Sequence, residues 1–314
     1  MFDNKPRISY FGQFGILIGL VGAGLILAVI IQLFFALSMV NFSDLMGGNE
    51  RALLKAMTLP ENINKVRWMQ MLGTFAMMFM PAFLFSLIVS KKPIQYFGLN
   101  KPTNTQLILL VIAIAVTALF LSGGLGELNK LIPLSKKWEV KFKAMEDNYS
   151  DQVMMLANMK SIADYFISLI MIAILPAIFE ELLFRGALQQ LFIGWFKNAH
   201  VAIFVTSFLF SCIHFSYYGF LPRLALGLML GYIFYFSKNI WLSMLMHFIN
   251  NGVAITALYF ATQKGEDVKK VMDESYPLWV AGVTLIIALF LFKLYKSECE
   301  KFAVQESNDH INVD

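Results

Sequence analysis

Charge is what this sequence has least of. Only 15% of its 314 residues are Asp, Glu, Lys or Arg, whereas 58% are apolar. A soluble domain needs about 25% charged residues to cover its surface, so the composition excludes a water-covered globule and implies that lipid covers much of the chain. The formal net charge of +4 is too small to point to a nucleic-acid partner. Cysteine is nearly absent: Cys212 lies in an apolar run and Cys299 in a polar tail. A disulfide framework is therefore excluded, and neither residue sits in a metal-binding spacing. There is no internal repeat and no low-complexity stretch. A cleaved signal peptide is not expected either. The run from Phe14 to Leu37 is longer than the roughly 7–15 residues of a signal core, so it reads as a retained helix. What the chain has in quantity is Phe and Met, 30 and 18 residues, which suit helix packing in lipid.

A membrane-crossing helix needs about 20 mostly apolar residues. Segments 13–39, 69–90, 105–126, 162–184, 201–218, 221–237, 239–261 and 277–295 meet or approach that length. The expected fold is all-α, a polytopic membrane protein with a bundle of about eight transmembrane helices. Residues 1–160 read as three spans with an interfacial loop, 161–261 as a four-span core, and 262–314 as a last span with a polar tail. Pro81 is expected to kink the second span, and Ser122-Gly123-Gly124 to break the third. Gly227 and Gly231 have the GxxxG spacing that lets another helix approach closely. The mixed-sign stretch 127–161, with Lys136, Lys137, Glu139, Lys141, Lys143, Glu146 and Asp147, reads as a solvated or interfacial helix. The tail 297–314 reads as disordered. With eight spans, Lys5, Arg7, Lys91, Lys92, Lys101, Lys197, Lys238, Lys293, Lys296 and Lys301 share one side. The positive-inside rule places that side, and both termini, in the cytoplasm of a multi-pass cell-membrane protein.

Ionisable residues inside spans are costly and usually functional. Three clusters stand out. The first is Glu180-Glu181-x-x-x-Arg185. Glu181 and Arg185 stand at i,i+4 and can pair, while Glu180 points roughly 100° away on the helix. The second is Phe210-x-x-x-His214, and the third Ser243, His247 and Asn251, one polar stripe of every fourth residue. Each has a plain alternative: a surface ion pair, a packing histidine, or polar glue between helices.

Depth links the clusters. Glu180 lies 17 residues before the turn at Lys197 and His214 lies 17 after it. Both would then sit about 25 Å from that turn at 1.5 Å per residue. His247 is nine residues past Lys238, only about 14 Å deep by the same rise. Tilt, a break near Pro176 or a longer turn must absorb the mismatch. A carboxylate, two imidazoles and an amide converging in an apolar bundle suit hydrolysis, which needs a base for water and donors for the oxyanion. Glu180, His214 and His247 are equally an ordinary ligand set for a divalent metal such as zinc.

These three motifs, in this order and in separate helices, resemble those of the CAAX-processing and bacteriocin-immunity membrane proteases, the CPBP family, which includes the type II CAAX prenyl endopeptidases. The resemblance covers roughly 160–255, and Asn239-Ile240-Trp241-Leu242-Ser243 adds to it. It implies an intramembrane endopeptidase of eight helices acting on a peptide or membrane-protein substrate in the bilayer. It implies Glu180 as the base that activates water, assisted by His214, with His247 and Asn251 at the oxyanion. Glu181 and Arg185 would hold the architecture and Phe210 would support the site. The family name says metalloprotease, and the residues leave metal dependence open. The rivals are a non-catalytic immunity factor or membrane scaffold that keeps the motifs, and a proton-coupled transporter. Inverted repeats with broken helices would favour the transporter, and none is visible.

Overall fold

The computed structural model describes residues 8–48, 50–156, 159–266, 271 and 276–311. Lys5 and Arg7, used above for orientation, lie outside them. The described chain is an all-α polytopic membrane protein. Among the described residues seven helices are long and apolar enough to cross a membrane: α1 (Tyr10–Leu37), α2 (Pro60–Val89), α3 (Thr105–Lys130), α5 (Ile162–Phe196), α7 (Phe220–Ser237), α8 (Ile240–Lys264) and α9 (Leu278–Ser307). Helix α6 (Ala199–Cys212) is apolar but shorter, and α4 (Lys136–Leu156) is the polar helix expected between the third and fourth spans. The count of about eight is thus seven long helices plus α6. The outermost helices show lipid their apolar side chains. Ile26, Val29 and Phe34 of α1 and Trp279, Ile286 and Leu289 of α9 are all exposed.

Local chemistry sets the helix ends. Ser9, Asn104, Ser161, Asn198 and Asn239 each cap a helix start by accepting a backbone N–H two or three residues on. Two tight turns use the same pair: Lys197-Asn198 and Lys238-Asn239. In each, the lysine closes one helix in the left-handed conformation (φ 55°) and the asparagine caps the next.

Four expectations need correction. Helix α3 runs through Ser122-Gly123-Gly124 to Lys130. These glycines do not break it, because a neighbouring segment lies against them: a Cβ on Gly124 would meet that of Ala281 at 2.6 Å. The fourth span is longer than 162–184 and runs to Phe196. The fifth ends at Cys212, which leaves His214 beyond the helix rather than inside it. The polar tail is helical as far as Ile311, with good helix formers and a Lys296–Glu300 ion pair at i,i+4. Ahead of Pro81 and Pro176 the backbone widens into π-helical segments, Phe75–Phe79 and Leu169–Ile174. A third, Leu182–Gln189, lies between the carboxylate pair and the turn at Lys197.

The bundle has two unlike ends. At one, Lys197 lies over the Tyr10 ring. Asn239 Nδ2 donates to Lys101 O (2.8 Å) and Trp241 Nε1 to Leu99 O (2.9 Å). Asn104 Nδ2 donates to Glu298 Oε1 (2.9 Å). The beginning of α1, segment 90–104, both Lys-Asn turns and the later part of α9 gather there. At the other end α4 lies on loop 213–219. Ser216 Oγ donates to Glu146 Oε2 (2.7 Å), and Phe142 stacks on Tyr217 at 4.7 Å. Asn129, 1% exposed, holds the same loop by donating to Tyr217 O and accepting from Leu221 N.

Candidate active site between α5, α6, α7 and α8

The residues of the first cluster occupy successive turns of α5. Arg185 Nη1 donates to Glu181 Oε1 at 2.5 Å, and both side chains are completely buried. Arg185 Nη2 reaches Gly227 O (3.2 Å), and its guanidinium lies over the Phe210 ring, 4.7 Å from its centre. One turn on, Gln189 Nε2 donates to Gly231 O (3.0 Å). Two donors at i,i+4 on α5 thus meet two glycine carbonyls at i,i+4 on α7. The glycines allow the approach: a Cβ at Gly231 would stand 2.8 Å from Gln189 Oε1, and one at Gly227 2.9 Å from Ser207 Cβ. Sequence reasoning missed Gln189. The signal was present, since the Arg185–Gln189 spacing repeats that of Gly227–Gly231.

Glu181 has a second partner. His247 Nδ1 stands 2.9 Å from Glu181 Oε1. A carboxylate oxygen only accepts, so Nδ1 carries the proton. That turns Nε2 toward Glu180, whose Oε2 stands 3.8 Å away. Glu180 Oε2 is buried and has no hydrogen-bond partner among the described residues. His247 is 3% exposed and Glu180 9%.

Depth counting made this contact hard to expect, and two features explain it. The π-helical segment Leu182–Gln189 is a wider coil with a shorter rise per residue, so Glu181 lies nearer the Lys197 turn than an α-helix would put it. The turn at Lys238 is also recessed beneath segment 90–104: Asn239 is 1% exposed and bonded to Lys101 and Pro102 carbonyls. His247 therefore starts deeper than its distance from Lys238 suggests.

His214 joins the group indirectly. It lies just past the end of α6, with its ring edge-on to Phe210 (4.9 Å), and Phe210 is in turn edge-on to His247 (6.0 Å). His214 Nδ1 is 2.7 Å from Phe210 O. A carbonyl only accepts, so Nδ1–H is the donor and Nε2 is the free pole of the ring. No hydrogen bond or ion pair links His214 to Glu180 among the described residues. Asn251 Nδ2 donates to Ile172 O (3.4 Å), the carbonyl left without its α-helical donor because Pro176 has no N–H. Asn251 Oδ1 accepts from Asn250 (3.2 Å). Ser243, the third member of the stripe, turns back to its own helix at Ile240 O. Among the described residues no three His, Cys, Asp or Glu side chains lie close enough together to hold a metal ion. As arranged, Glu180, His214 and His247 do not form such a group.

Residues 162–253 match the family described as type II CAAX prenyl endopeptidase Rce1-like. The match bears out the resemblance to the CPBP membrane proteases over the segment that holds all three motifs. The chain is also similar to the uncharacterized protein YpbD of Bacillus subtilis (strain 168), 29% identical over 96 residues. That similarity covers 29% of this chain and 46% of YpbD, so the chain matches less than half of that relative's length. No solved structure matches significantly.

Proposed function

We propose that this chain is an intramembrane endopeptidase of the CAAX-protease type. Glu180 carries the reading. It is a carboxylate inside an apolar bundle whose Oε2 has no hydrogen bond among the described residues and faces His247 Nε2 across 3.8 Å. That gap is longer than a hydrogen bond, so both atoms are left for a third group such as a water or a substrate carbonyl.

In the proposed reaction Glu180 takes a proton from water as the water oxygen bonds to the scissile carbonyl carbon. The carbonyl electron pair moves to oxygen. His214 Nε2, free because Nδ1 is held by Phe210 O, helps to orient the water. His247, held at Nδ1 by Glu181, can carry a proton on both nitrogens and present Nε2–H to the oxyanion. Asn251 has a second amide hydrogen beyond the one given to Ile172 O, and this also serves the oxyanion. Glu180 then hands its proton to the leaving nitrogen as the C–N bond breaks, giving a new carboxyl and a new amine. Glu181 and Arg185 keep the base and the imidazole in register. The substrate is a peptide or a segment of another membrane protein, met in the bilayer, and both termini of the chain face the cytoplasm.

The test is cleavage of a peptide library by the purified chain in lipid, alongside Glu180→Gln, with and without chelator. Cleavage by the parent and not by the variant is the expected result. Loss of cleavage with chelator, restored by zinc, would place a divalent metal in the reaction. No difference between parent and variant would remove the protease reading and favour an immunity or scaffold role.

A further inference from the structure

The seam between α5 and α7 has a third rung. Gln189 faces Gly231 and Arg185 faces Gly227, one turn apart on both helices. The two helices run the same way, so one turn further back Glu181 on α5 comes about level with Arg223 on α7. Where the first two rungs of α7 are glycine, the third is a guanidinium. Loop 213–219 closes on it. A Cβ on Gly219 would overlap Arg223 Nη1 and stand 2.8 Å from its Cζ. The loop is pinned at both ends of that contact, by Ser211 Oγ donating to Phe220 O (2.7 Å) and Gly219 N to Ser216 Oγ (3.0 Å). It is the same loop that carries His214, and the charge of Arg223 acts on both His214 and Glu180. Glu180 Oε2 has no hydrogen bond among the described residues, so that action crosses a gap.

A cation is costly at this place. Arg223 closes the first turn of α7, where the unmatched N–H groups already make the helix end positive, and that turn holds no acidic residue. Of the carboxylates level with it, Glu181 is bonded to Arg185 and His247. Glu180 loses its charge when it takes a proton from water. The positive potential of Arg223 and the helix end then acts on whatever lies between them and Glu180, and it favours a negative group. A guanidinium and a carboxylate match as planar forks, with charge-assisted hydrogen bonds stronger than neutral ones.

We infer that Arg223 is a substrate-binding residue, whose guanidinium takes a carboxylate of the peptide close to the bond that Glu180 opens. That the ligand is a peptide rests on the protease reading; the cation at the site follows from the α5–α7 register and the loop that closes on it. The carboxylate belongs either to the peptide's C-terminus or to an Asp or Glu side chain, and the experiment separates the two.

Retention of peptides by the full-length chain in lipid nanodiscs tests this, in a Glu180→Gln background so that bound peptides stay whole. Random apolar hexapeptides are offered in three pools: free acids, C-terminal amides, and amides carrying one Asp or Glu. Retained peptides are counted by mass spectrometry. The expected result is several-fold stronger retention of a carboxylate-bearing pool than of the neutral amides. Adding Arg223→Gln should abolish that preference, and Arg223→Lys should keep part of it. Gly219→Ala, which leaves the guanidinium in the chain but displaces it, should weaken the preference as well. The pool that is retained identifies the source of the carboxylate. Equal retention of all three pools, retention of none, or a preference that survives Arg223→Gln would overturn the proposal. Should Arg223→Gln fail to fold, an undiminished preference in Gly219→Ala would overturn it instead. Cleavage plays no part in this readout. Failure of the protease reading shows in the cleavage assay, as no difference between the parent and Glu180→Gln.

Discussion

At the level of Arg185 and Gln189 each polar side chain donates at least one hydrogen bond to the protein and is sealed, although Arg185 Nε and Gln189 Oε1 have no partner among the described residues. At the level of Glu180 its Oε2 and His247 Nε2 face one another and are left short of contact. Arg185 and Gln189 find an ion pair, two glycine carbonyls and an aromatic face within a few ångströms. One turn away Glu180 Oε2 has no hydrogen bond among the described residues, and His247 Nε2 stands 3.8 Å off. Both levels are carried largely by one helix, so helix propensity does not distinguish them. The difference lies in what faces them: glycine carbonyls of α7 against the sealed level, the His247 ring against the other. A buried side chain anchored by hydrogen bonds to protein supports a fold, whereas a carboxylate oxygen facing an imidazole without reaching it costs stability and is kept where chemistry needs it.

If that contrast is right, substitutions at the sealed level act on stability and those at the open level act on turnover. Arg185→Met should have the largest effect. It leaves the fully buried Glu181 with His247 as its remaining partner, and breaking a buried pair from one side costs about 3–5 kcal/mol. The check is melting in detergent together with the yield of folded protein. Glu181→Gln should fall close behind and should also slow cleavage in whatever protein remains folded, because a neutral amide holds His247 Nδ1–H less strongly than a carboxylate does. Gly231→Ala should come next, at about 1–3 kcal/mol for overpacking, since its methyl would press on Gln189 Oε1 and Ile203. A thermal-shift series of Gly231→Ala and Gly227→Ala measures it. Unchanged melting for both would show that the α5–α7 seam is looser than described. Gln189→Leu should cost about 0.5–1.5 kcal/mol, the usual net worth of one hydrogen bond, because Gly231 O lies inside α7 and keeps its helical donor. Its check is whether Gln189→Leu and Gly231→Ala add: a shared contact makes their combined effect smaller than the sum.

Much of this was legible in sequence, and the misses share a cause. The Glu181–Arg185 pair followed from i,i+4 spacing, the GxxxG approach from two glycines, and the all-α membrane fold from hydropathy. The π-helical segment at Leu182–Gln189 was not legible, because hydrogen-bond register leaves no mark in apolar patterning. The recessed Lys238 turn was hidden because the segment that covers it lies 138 residues away in the Asn239–Lys101 bond. Reading Gly123-Gly124 as a breaker applied a local rule where tertiary packing decides: the same residues that weaken a helix in isolation let Ala281 pack against it. Reading the polar tail as disordered confused solvation with lack of structure.

The smallest expected change in stability belongs to Glu180→Gln, and it also tests the central claim most directly. Glu180 Oε2 has no hydrogen bond to lose among the described residues, so the amide should leave the melting temperature close to that of the parent while cleavage vanishes. Melting and cleavage should be measured on the same preparation, beside Glu181→Gln. A Glu180→Gln protein that melts like the parent and cleaves nothing is the predicted result. A Glu180→Gln protein that still cleaves, or one that unfolds as Arg185→Met does, would contradict the assignment of Glu180 as the base.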